Sequence, residues 1–174
     1  MDPRDSPDPG RRTLPDPGFA GDAGEADARL AAALRRYAED GRRAPVLVAL
    51  SSARVLVPVV ALLGEVEMDE QGLARDKTAD VAAVLMQGQD GRMALLAFSA
   101  LGSLGAWRDD ARPVPVTVSD AATAALQEQA DAIVLDVAGP TTFVVEAEEL
   151  AQLAAGHVLA ETPDGYAWLL TAGG

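Results

Sequence analysis

Apolar positions along this chain follow a helical period in some stretches and a strand period in others, and the switches between them mark its elements. Leu30, Ala33, Leu34, Tyr37 and Ala38 recur at the spacing of one helix face, and Gly41 closes the run. Asp22, with Glu25 three residues later, has the form of a capping box, so a helix is expected to begin there. Arg42 and Arg43 fall where a helix C-terminus favours cations. Pro45 to Leu50 predicts another turn or two of helix leading into a strand. Val55 to Val60 is strand-like in its β-branched content, and Pro58 within it predicts an edge position or a bulge.

Gly64 to Asp80 reads as a polar, acidic loop. Val81–Met86 and Arg92–Phe98 are apolar runs joined by Gln87-Gly88-Gln89-Asp90-Gly91, a hairpin signature. Ser99 is placed to cap a short helix reaching Leu104 and Trp107. Pro113–Val118 predicts a strand, and Ser119 caps an expected helix through Ala130, with Asp120 in its first turn. Ile133–Val137 and Phe143–Val145 flank Ala138-Gly139-Pro140-Thr141 as a second hairpin. Glu146–Ala155 predicts a last helix, ended by Gly156. Residues 157–174, centred on Thr162-Pro163-Asp164-Gly165, predict a short hairpin or a tail.

Hairpins interleaved with helices imply an α/β (α+β) fold. The expectation is a single domain over residues 25–156, with a mixed β-sheet of about five to six strands and helices packed on it. Residues 1–24 are rich in Pro, Asp and Gly and nearly devoid of apolar side chains. Such a segment buries too little surface to offset its ordering entropy, so a disordered tail is expected.

Composition narrows the function classes. A chain of 174 residues, 49% hydrophobic but only 4% aromatic, must fill its core with Ala, Val and Leu. Its net charge of −13 repels phosphate backbones and anionic lipid, which argues against nucleic-acid and membrane partners. The absence of Cys removes disulfides, thiolate nucleophiles and cysteine-ligated metals. No apolar run occupies the first 25 residues, and Val55–Leu63 is far short of the ~20 residues of a membrane helix. A cytoplasmic location is expected.

Five segments, in order and spacing, resemble the SseB N-terminal domain family in the form common among actinobacteria. They are Ala53-Arg54-Val55-Leu56-Val57-Pro58-Val59, Lys77-Thr78-Ala79-Asp80, Ala97-Phe98-Ser99 leading to Leu104 and Trp107, Arg112-Pro113-Val114-Pro115-Val116, and Ala138-Gly139-Pro140. The likeness spans roughly residues 28 to 156. Ala79 and Ala100 stand where the family usually carries Ser. The family is named for an enhanced-serine-sensitivity phenotype, and the resemblance brings no catalytic residue with it.

Catalytic templates are not met. The only Lys, Lys77, has no glycine loop before it, which excludes a P-loop. Gly102-Ser103-Leu104-Gly105 lacks the glycine spacing of a nucleophile elbow, and His157 is the only histidine available to a triad. Glu67-x-Asp69-x-Gln71-Gly72 resembles the start of an EF-hand loop, but its twelfth position is Thr78 where a bidentate Glu is needed. Neither a metal nor a cofactor is expected. Asp136 interrupts an apolar strand run, and strand alternation is expected to turn it to solvent.

Two clusters are candidates for binding. Trp107, Arg108 and Arg112 have the composition of an interface hot spot, although a core Trp flanked by surface Arg is the commoner origin of such a cluster. Lys77, Thr78 and Asp80, with Phe98, could line an anion-contacting pocket, although a loop-to-strand junction tied by local hydrogen bonds is the better explanation of the first three. Arg29, Arg35, Arg36, Arg42 and Arg43 also concentrate positive charge on the first helix of an acidic protein, an asymmetry that can orient a partner. The expected function is a non-catalytic protein-interaction module, acting through a sheet edge or the Trp107 surface. The alternative is a small-molecule sensor near Lys77 and Phe98, with an amino acid as one ligand class. An enzyme using carboxylates alone would need two acids converging in one cleft.

Overall fold

The computed structural model describes residues 19, 21–61 and 81–170. The Pro-rich segment before Phe19, the Gly64–Asp80 loop with its EF-hand-like stretch, and Gly173-Gly174 lie outside the described residues.

Helix α1 runs Ala28–Asp40, with Asp27 as N-cap accepting from the backbone N–H groups of Arg29 and Leu30. The start is therefore five residues beyond the expected cap at Asp22, whose carboxylate is engaged elsewhere. Gly41, in the left-handed region at φ 69°, ends α1 as its sequence position predicts. Helix α2 (Arg43–Leu50) follows at once. Arg42 and Arg43 thus begin the second helix rather than complement the C-terminus of the first.

Strands β1 (Arg54–Ala61), β2 (Val81–Ala83) and β5 (Arg112–Thr117) form an antiparallel sheet in the order β2-β1-β5. Strands β3 (Leu85–Gln87), β4 (Met93–Ala97), β6 (Ala132–Leu135) and β7 (Phe143–Val145) form a mixed sheet in that order, parallel only between β4 and β6. The two sheets meet at Leu56 and Phe98, which exchange both backbone hydrogen bonds at 2.8 Å. Strand β1 is consequently internal, not an edge. Pro58 sits in the fork between Phe98 and β2, where its missing N–H is tolerated and its carbonyl accepts from Val84. The expected single sheet is in fact two joined sheets and a separate hairpin.

Helices α3 (Leu101–Trp107), α4 (Val118–Gln127) and α5 (Ala147–Ala154) complete the domain, with β8 (His157–Thr162) and β9 (Gly165–Leu170) as the terminal hairpin. Thr117, not Ser119, caps α4, its hydroxyl accepting from the Asp120 N–H. Alternation along the strands sorts the core into two faces. Val55, Val57, Leu95, Ala97, Ile133, Leu135, Phe143 and Val145 pack with α1, α2, α4 and α5. Leu56, Leu96, Phe98 and Val134 face the other way, toward Leu104 of α3.

Candidate functional site

Burying Asp136 gives the first site its character. Its backbone leaves the strand conformation at φ 54°, directly after the last residue of β6, and this turns the carboxyl inward, 3% exposed. Strand alternation does not apply to a residue in the left-handed region, so the expectation of a solvent-facing Asp136 fails. One carboxyl oxygen accepts the Ser99 N–H at 2.8 Å and the other the Ser99 hydroxyl at 2.6 Å. That engagement also explains why Ser99 does not cap α3, whose N-cap is Ala100.

Ser99 is held from its other side as well. Its carbonyl accepts from Arg54 Nη1 at 3.0 Å, while Arg54 Nη2 donates to Asp22 at 2.7 Å and to the Glu25 carbonyl at 2.7 Å. Burial opposes ionisation of Asp22, but the Gly24 N–H and the Arg54 guanidinium outweigh it and hold the carboxyl below its ordinary value. Gly24, at φ 77°, lies against Leu101 and offers its carbonyl to the Leu101 N–H at 2.8 Å. Asp22, Arg54, Ser99 and Asp136 therefore form one chain that straps residues 21–25 across the C-terminal ends of β4 and β6.

These contacts coincide with the motif positions. Arg54 comes from the β1 motif, Ser99 from the β4 motif, and Gly139 closes the turn on Asp136 with an N–H to carbonyl bond of 2.9 Å. A Cβ on Gly139 would stand 3.0 Å from the Asp136 Cβ, which accounts for the glycine. Residues 30–152 match the SseB protein N-terminal domain. The chain belongs to that family. No curated protein and no solved structure matches it. Within this SseB domain, the resemblance carried by separated segments thus has a physical counterpart, a polar junction built from three of them and buried at Ser99 and Asp136.

The remaining predicted residues are dispersed. Phe98 is fully buried and stacks on half-buried Trp107, with ring centroids 5.5 Å apart. Arg108 lies over the Trp107 ring at 5.7 Å and grips Asp110 through two hydrogen bonds of 2.9 and 3.0 Å. The Asp110 carboxylate raises the Arg108 guanidinium above its ordinary value, and Arg108 lowers Asp110 in return. Arg112 opens β5 and is exposed. Lys77, Thr78 and Asp80 lie outside the described residues. His157 is half-buried and its Nδ1 meets Gln152 Oε1 at 2.6 Å. Among the described residues no cluster of three or more His, Asp or Glu could hold a metal ion, and no helix is long and apolar enough to cross a membrane.

A second site lies between α1, α2 and the terminal hairpin. It is an open groove of about 760 Å³ with Ala32, Ala33, Pro45, Val48 and Ala49 along its helical side. Val158, Leu159, Ala160 and Glu161 of β8 form the opposite wall, with Tyr166 of β9. Arg29 and Arg36, two turns apart on α1, and Arg42 at the start of α2 stand on its rim. Among the described residues none of these three side chains has an ion-pair or hydrogen-bond partner. Arg43 does: it binds Glu149 and the Val144 carbonyl at 2.8 Å and covers the Phe143 ring at 4.7 Å. The charge asymmetry of α1 is legible in the sequence. The wall opposite is not, because the turn residues 162–165 point to a hairpin without saying where it docks.

Sheet edges differ in what they offer. Leu56 bonds Phe98, so its partner Pro115 on β5 is a non-bonded pair, and alternation places the Pro113 and Pro115 nitrogens on the outer edge. Neither carries an N–H. Strand addition is therefore blocked at β5, one of the edges through which the sequence allows a partner to bind.

Proposed function

We propose that this SseB domain is a non-catalytic protein-interaction module whose binding surface is the groove between α1, α2 and the β8–β9 hairpin. The observation that carries this reading is the rim: three unpaired arginines beside an apolar floor, in a chain of net charge −13. Unpaired like charges along one groove, with Glu161 as the single acid lining it, repel one another and are relieved by an acidic partner. Among the described residues, three groups with chemical potential elsewhere are engaged within the domain. Asp136 is bound to Ser99, Arg54 to Asp22, and His157 to Gln152.

Small ligands bury most of their surface in an enclosed pocket. A groove open along its length suits a polypeptide segment better, which ranks protein binding above metabolite sensing. Paired affinity capture tests the reading, with the full chain and its R29E/R36E/R42E variant as baits. A partner retained stoichiometrically by the first and missing from the second supports it. The same proteins recovered by both baits would overturn it.

A further inference from the structure

We infer that the groove takes an extended acidic segment of its partner, which pairs in β fashion with the outer edge of β8 at Glu161. This rests on the interaction reading above and gives the partner's conformation. The hairpin closes through the two-residue loop Pro163-Asp164, with Thr162 opposite Gly165. A loop of that length makes the flanking pair a hydrogen-bonded one. Counting back in twos, Ala160 with Ala167 and Val158 with Leu169 are bonded pairs, while Leu159 and Glu161 direct their N–H and C=O groups away from β9. The Leu159 N–H fixes this direction independently, since it donates outward to the Ser51 hydroxyl at 3.1 Å.

The outer edge of β8 is the wall of the groove; the Ser51 hydroxyl takes the Leu159 N–H, and beyond it Glu161 offers both backbone groups to an incoming segment. Proline closes the corresponding edge of β5; β8 carries none. A segment so paired alternates its side chains between the Val48–Ala49 floor and solvent. Acidic residues within it would meet Arg29, Arg36 and Arg42. Charge complementarity selects an acidic polypeptide over a second copy of this chain, because two copies of net charge −13 repel each other.

The test uses the full chain and a fluorescein-labelled peptide of about ten residues, a length typical of long strands, alternating Glu with Val. Fluorescence anisotropy should show saturable binding that falls with added salt, and none for the Lys-Val counterpart. R29E/R36E/R42E should weaken binding roughly tenfold or more. E161Q should tighten it by removing a like charge, whereas E161P, which also deletes an outward N–H without touching the β9 ladder, should bind several-fold more weakly than E161Q. Backbone N-methylation of the peptide should weaken binding likewise, with the protein unaltered. Binding that needs the arginines but is equal in E161P and E161Q and ignores N-methylation would overturn the β pairing and leave the groove as an interaction surface. Binding indifferent to the arginines, equal binding of single-stranded nucleic acid, or self-association through β8 would each overturn the inference.

Discussion

Ser99 gives its backbone N–H and its hydroxyl to the two carboxyl oxygens of Asp136, at 2.8 and 2.6 Å, joining the ends of two parallel strands with one side chain. Replacing Asp136 by Ala leaves two buried donors unsatisfied and puts an alanine in the left-handed region. The two effects together predict a loss of about 3 kcal/mol in urea unfolding. Asn tolerates that backbone and keeps one acceptor for the Ser99 N–H, so D136N should lose about half as much. Equal losses for the two variants would show that the carboxylate's bond to the Ser99 hydroxyl, which both lose, outweighs backbone strain at this turn.

The strap carried by Asp22 and Arg54 should respond to acid. The Asp22 carboxyl is held below its ordinary value when folded. Its contribution is therefore complete above the unfolded carboxyl value of about 3.9 and disappears as pH falls through the lower folded value. Hydrogen exchange at Leu101, whose N–H is bonded to Gly24, should report this loss of attachment. The Leu101 amide should lose protection, relative to its intrinsic rate, across that acid range, ahead of amides in β4. In D22N it should be weakly protected at every pH. A Leu101 amide that tracks β4 throughout would detach the strap from the Asp22–Arg54 pair.

Arg43 is bound to Glu149, to the Val144 carbonyl and to the face of Phe143, and its side chain is only 36% exposed. Lys keeps the charge but loses the planar fork and the stacking, so R43K should recover only part of what R43A loses. The expected loss for R43A is about 2 kcal/mol, since a partly buried pair, a hydrogen bond and a ring contact go together. A double-mutant cycle with E149Q isolates the ion pair, and its coupling should be clearly below the whole R43A effect. Full recovery by R43K would reduce the contact to simple charge attraction.

Periodicity made the element order readable, from the Leu30–Leu34 stripe of α1 to the Phe143–Val145 strand, because burial of one face imposes the spacing directly. Family membership was legible for the same reason, in segments each tied to one element. What stayed hidden were choices between local and distant partners. Ser99 has the sequence position of a cap yet bonds to Asp136, 37 residues away, while Thr117 takes the cap that Ser119 was expected to supply. A hydroxyl beside a helix start satisfies either geometry, and only the tertiary neighbour decides. Asp22 likewise passes over α1 and pairs with Arg54. For the groove, the Arg29 and Arg36 side was readable from the helical stripe. The β8 side depends on where the hairpin docks, which spacing alone does not encode.

Docking of the hairpin depends on Ser51. Its hydroxyl donates to the Leu47 carbonyl at 2.7 Å and accepts the Leu159 N–H at 3.1 Å, linking the end of α2 to the edge of β8. A two-stranded hairpin is marginal by itself, so such attachments hold it on the domain together with Leu159, which is 8% exposed. S51A frees the Leu159 N–H and should cost about 1 kcal/mol. Because hairpins open as local units, that loss should appear first in hydrogen exchange across β8 and β9, with amides of β4 and β6 unchanged. S51T keeps the hydroxyl and should retain protection. Uniform loosening of every strand by S51A would mean instead that the hairpin and the domain unfold as one cooperative body.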